Sequence, residues 1–94
     1  IWVGATPTLF FAYQLLIATH RIQIIGHTDS SGERLANVAL SLARAGAVRQ
    51  YLIDQGVPAE GLSALGAGPD RPLADNASEA GRARNRRIEF RVVR

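Results

Sequence analysis

The feature that most constrains this chain is a helical stripe held between two short apolar runs. Leu35, Val38, Leu42, Ala45, Val48 and Leu52 recur at three- and four-residue steps, the spacing that gathers side chains on one face of an α-helix. The run at 22–25 is rich in β-branched residues and closes at Gly26, so it reads as a strand. The run at 62–65, broken by Gly66, Gly68 and Pro69, reads as another. Ser30, with Glu33 three residues on, offers a capping box for the helix start. At the far end Gly56 suits a left-handed position and Pro58 forbids continuation, so the helix is expected to run to about residue 55. A strand, a long helix and a second strand make a crossover, right-handed where the strands are parallel.

The last segment, RRIEFRVV, alternates. Ile88, Phe90 and Val92 would face a core, and Arg87, Glu89 and Arg91 would face solvent, as in a half-buried strand. Between the second and last strands, residues 69–81 read as a polar loop with a short helical turn near its end. Trp2 and Val3 would start the chain as a strand, followed by a short apolar helix over 8–19. The 94 residues suffice for a single domain with one modest core. The expected fold is an α/β (α+β) two-layer sandwich, with helices covering one face of a small mixed sheet.

Residues 1–18 carry no charged side chain, a length near the lower limit for a membrane span. Pro7, Gln14 and the absence of a basic flank favour a buried strand and helix. A truncated membrane anchor is the rival, and a signal peptide would want a positive start. The first residue is Ile1, so a piece of a longer protein is expected. Cysteine is absent, which excludes a disulfide framework and a thiolate metal site.

All eleven basic residues are arginine, which we take as a coding bias. Residues 21–81 have net charge −2 and residues 82–94 net charge +5, within a total of +3. A basic tail suggests an anionic partner such as nucleic acid or a membrane surface. The alternation of the last strand explains it more simply, because its arginines fall in or next to the solvent-facing set. Nucleic-acid binding would also want aromatic residues among the basic ones, and Phe90 alternates toward the core. No phosphate-binding glycine motif is present.

Asp29 sits just past a strand end, at the mouth of the helix, and Arg44 follows fifteen residues later on the helix. Asn37, Leu40, Ser41 and Arg44 share one helix face. A carboxylate and a planar bidentate guanidinium could therefore face a common space. Spacing alone leaves two readings open: Asp29 caps a turn while Arg44 lies on the surface or pairs with it, or the two grip one ligand of both charges. A nucleophilic set from His27, Asp29, Ser30 and Ser31 is disfavoured because such sets are assembled from distant segments. A metal site from His20, His27 and Asp29 lacks a defined spacing.

GHTDSSG, then NVALSLARAGAVRQYLIDQGVP, then LSALGAGPDRPLADNASEAGRARNRRIEF resemble the OmpA-like peptidoglycan-binding domain, the family of porin C-terminal domains, peptidoglycan-associated lipoproteins and the stator protein MotB. The resemblance covers 22–92, within one domain over 1–94 whose first 21 residues form an atypical first strand and helix. It implies a βαβαβ-β fold and a non-enzymatic function without cofactor or metal. The implied partner is peptidoglycan, bound without covalent attachment through the diaminopimelate of its stem peptide. By the same resemblance Asp29 accepts the ammonium of that group and Arg44 clamps its carboxylate, with Thr28, Asn37, Leu40 and Ser41 lining the site. Arg82, Asn85 and Arg86 tie the loop and last strand to the site region, and Arg86 is also a candidate ligand contact. The implied location is the periplasm of a Gram-negative-type bacterium, with membrane association through a part of the parent protein outside this chain. The alternative is the same fold used as a protein-interaction or homodimerisation module, for which the uncharged front segment would serve.

Overall fold

The computed structural model describes residues 21–93. The strand expected at Trp2 and Val3, the helix expected at 8–19 and the membrane-span reading of the front segment lie outside the described residues. Within them the order is β1 (Arg21–His27), α1 (Arg34–Asp54), a 3₁₀ turn (Ala59–Gly61), β2 (Leu62–Gly68), α2 (Glu79–Asn85) and β3 (Arg87–Val93). The sheet has the order β2-β1-β3. β1 and β2 run parallel, joined by the long helix as the crossover spacing requires, and β1 and β3 run antiparallel. This is a small mixed α+β sheet.

Register explains which side chains are inside. Ile22 and Ile24 of β1 lie beside Leu62 and Ala64 of β2, and α1 covers that face with Ala45 and Leu52. Val57 closes the bottom of this cluster, and Ile88 packs against its edge. Burying a side chain such as Ile24 completely contributes ~1.5–3 kcal/mol. The helix comes close because glycines lie beneath it. A Cβ on Gly26 would stand 2.1 Å from the Ser41 carbonyl oxygen, and one on Gly66 would stand 2.7 Å from both the Leu42 nitrogen and the Val38 oxygen.

The helix ends as expected and starts differently. Gly56 has φ 100°. The N–H of Gly56 reaches Ile53 O and that of Val57 reaches Leu52 O, each at 3.0 Å, with Val57 buried against Leu52. This is a Schellman closure. The expected capping box at Ser30 does not form. Gly32 has φ 84°, which breaks the path into the helix, and Glu33 takes the cap position without a side-chain bond. Asn37 substitutes from within the helix, its Nδ2 donating to Ser31 O at 2.7 Å.

Four expected burials, at Leu35, Leu42, Phe90 and Val92, are not found. Leu35 is 67% exposed and Leu42 is exposed, because the first turn overhangs the sheet and Leu42 sits over the edge strand β2. On β3 the alternation holds but the burial does not follow it. Val92 and Phe90 pair with Ile22 and Ile24 on the helix-bearing face, yet Phe90 is 53% exposed, since α1 lies over β1 and β2. Arg87 and Glu89, expected in solvent, are instead half-buried around His27 on the opposite face. The polar loop gives way to helix α2, which begins at Glu79 and is capped by Ser78, whose hydroxyl accepts from Gly81 N at 3.0 Å. This helix packs Gly81 and Asn85 on the 73–76 segment rather than on the sheet face.

Candidate functional site

The C-terminal end of β1 sets the position of Asp29. β1 and β2 slip register after Gly26, so that His27 pairs with Gly68. Gly68 then accepts from Thr28 N at 2.9 Å, while Gly68 N donates to the Ser41 hydroxyl at 2.9 Å. The backbone at 28 is thereby clamped between a strand and a helix. Thr28 Oγ1 donates to Asp29 O at 2.8 Å, and Ser31 N donates to Asp29 Oδ1 at 2.9 Å, closing a tight turn. The second oxygen, Oδ2, accepts from Arg86 Nη1 at 2.7 Å. The Ser31 N–H first, and Arg86 next, hold the Asp29 carboxyl below its ordinary range, so it is ionised at neutral pH.

Arg86 stands between two carboxylates. Its Nη2 donates to Glu79 Oε1 at 2.7 Å. Glu79, the first residue of α2, also accepts from Arg82 at 3.2 Å, and Arg82 Nη1 is fixed on Asn76 O at 3.0 Å. Beneath them Asn85 is fully buried. Its Oδ1 accepts from Leu73 N at 2.7 Å and Ala74 N at 2.8 Å, and its Nδ2 donates to Ala74 O and Asn76 Oδ1. Arg82, Asn85 and Arg86 thus bind the loop, the short helix and the strand β1 end into one unit.

The residues named from sequence separate into three groups. Asp29 and Arg86 are in direct contact, although Asp29 had been matched with Arg44 on the helix. Arg44 is exposed and makes no hydrogen bond or ion pair among the described residues. With Asn37 and Leu40 it falls on the flank of α1 opposite Val38 and Leu42, which lie over β2. Leu40 is exposed there and Asn37 half-buried. Thr28 and Ser41 are buried, and their hydroxyls are spent inside the fold, that of Ser41 between Val38 O and Gly68 N. Sequence reasoning did not find Glu79, since the short helix that presents it was read mainly as loop.

His27 serves the frame. It is buried, its Nε2 lies 2.9 Å from Glu89 Oε1, and Nδ1 has no partner among the described residues. The network therefore assigns the proton to Nε2, donating to the carboxylate. Burial, with Arg87 next, lowers the His27 pKa, so the ring is neutral. Arg87 completes the array, donating to Glu89 Oε2 at 2.9 Å, to Asn85 O and to Arg71 O.

Residues 9–86 match the profile of the OmpA family. Outer membrane porin F of Pseudomonas fluorescens is 49% identical over 71 residues, 76% of this chain and 22% of that protein. The peptidoglycan-binding protein ArfA of Mycobacterium tuberculosis is 42% identical over 72 residues, 77% of this chain and 22% of that protein. The crystal structure of the peptidoglycan-associated lipoprotein from Burkholderia pseudomallei superposes with a TM-score of 0.81 at 33% identity, over 89% of this chain and 71% of that one. The chain spans about a fifth of the length of these two sequence relatives.

Proposed function

This chain belongs to the OmpA family, and on that basis we propose that it binds peptidoglycan non-covalently and anchors an envelope protein to the cell wall. The ligand group is the diaminopimelate of the stem peptide, whose free end carries an ammonium and a carboxylate. Asp29 accepts the ammonium and Arg44 clamps the carboxylate, with Arg86 beside them and Asn37 and Leu40 at the rim. The observation that carries this reading is the different state of the two charges. Asp29 is fixed and ionised by Ser31 and Arg86, while Arg44 projects from the exposed flank of α1 without a partner among the described residues. A family relative named for peptidoglycan binding, and a solved relative named as peptidoglycan-associated, support the choice of polymer. Neither charge needs to give up or take a proton, so the site works by binding alone. The setting in this reading is the periplasm, with the membrane link made elsewhere in the parent protein.

Each charge-assisted bond contributes ~1.5–3 kcal/mol before ordering costs, so single-site binding is modest and a polymer of many sites retains the protein by avidity. Calorimetric titration of meso-diaminopimelate, and of a stem peptide containing it, tests the proposal. Wild type should bind, and Arg44→Ala should weaken binding by about tenfold or more. Absence of heat with the folded wild type would sink the proposal and favour the protein-interaction reading, to which the half-exposed Phe90 and Val92 would then point.

A further inference from the structure

The guanidinium of Arg86 divides its donors between two unlike carboxylates. Asp29, on one side, has a side chain only 12% exposed and is pinned a second time by Ser31. Glu79, on the other, has a side chain 65% exposed and, among the described residues, is held otherwise by Arg82 alone, one helical turn away. The first partner cannot leave without opening the turn at 29–31. The second can rotate into water, since an exposed ion pair adds little net stability and Glu79 keeps Arg82 as a partner. Arg82 stays on Asn76 O whether or not Glu79 moves.

We propose that Glu79 is a built-in competitor for the ligand: in the free protein it occupies the outward edge of Arg86, and a carboxylate of the bound stem peptide takes its place. This rests on the peptidoglycan reading and deepens it. A planar guanidinium offers parallel donors along each edge, so the edge facing Glu79 suits a second carboxylate equally well. The exchange also keeps the charge around Asp29 in balance. While either carboxylate covers the outer edge, Arg86 remains neutralised, and Asp29 keeps its pull on a ligand ammonium. Arg86 is thereby kept from presenting an open edge to any anion in solution, and affinity is set by how well the ligand outcompetes Glu79.

Glu79→Gln tests this. Calorimetry with a diaminopimelate-containing stem tripeptide should show binding tightened by about three- to fivefold, the scale of one exposed ion pair. Glu33→Gln, which removes the same charge from an exposed side chain that does not touch Arg86, should leave affinity unchanged. Unchanged or weaker binding in Glu79→Gln, or equal tightening in Glu33→Gln, would overturn the proposal. Arg44→Ala on the same tripeptide separates the two failures. If it abolishes binding and Glu79→Gln brings no gain, the competitor idea alone is wrong. If the tripeptide does not bind wild type, or binds Arg44→Ala as well as wild type, the underlying reading of the site is wrong and this inference goes with it.

Discussion

Asn85 carries more of the site than its neighbours with charge. One buried amide satisfies two backbone N–H groups and donates to Ala74 O and the Asn76 side chain, so the 73–76 loop closes around it. Asn85→Ala leaves the Leu73 and Ala74 N–H groups without an acceptor, and should cost about 3 kcal/mol. Thermal unfolding should then fall by roughly 10 °C or more in a domain of this size. A shift of a few degrees would mean that water or a rearranged loop replaces the amide. Sequence made Asp29 visible as an acid just past a strand end, and the GHTD motif rather than the spacing set it apart from a plain turn cap. It did not make the Asp29–Arg86 contact visible. The partners are 57 residues apart, and only the antiparallel return of β3 beside β1 brings them together.

At the level of elements, the contact between α1 and the sheet depends on backbone approach as much as on apolar side chains. A methyl group at Gly66 must push α1 away from β2, and one at Gly26 meets the Ser41 carbonyl still more closely. Gly66→Ala should destabilise by about 1–3 kcal/mol in denaturant titration, and Gly26→Ala by more. The reverse order would show that the helix yields more easily over the central strand than over the edge. The helix itself was legible from its stripe, and its end from Gly56 and Pro58. Its start was not, because Ser30 and Glu33 carry a capping pattern that the positive φ of Gly32 prevents. The exposure of Leu42 and Phe90 was hidden for a related reason. Periodicity tells which residues share a face, and the width of the covering layer decides which of them are covered.

For the whole molecule, the lowered pKa values set the response to acid. His27 is held below 6.5 first by burial and next by the charge of Arg87, against the opposing pull of Glu89. As pH falls below that value the unfolded chain takes up a proton that the native state refuses, so stability declines until the folded value is reached. Asp29 and Glu89 lie below their ordinary 3.8 and 4.5, the first through Ser31 and Arg86, the second through Arg87. Their contribution is complete above those ordinary values and is lost as pH falls through the folded ones. Thermal unfolding followed from about pH 8 to about pH 3 should be level first, sag gently below about 6.5 and drop steeply below about 4. His27→Asn should remove the gentle sag; its persistence in that variant would place the responsible proton elsewhere.

The central place of β1 has a mechanical consequence. A load taken between Arg21 at one end of the strand and the Asp29 carboxylate just past the other runs along the strand axis. The hydrogen bonds to β2 on one side and β3 on the other lie across that axis, so all of them resist in shear together. The same pull on an edge strand, applied across the sheet, would peel the pairs apart one after another. Tension applied at Asp29 is thus carried by the strand that, among the described residues, has a neighbour on each side.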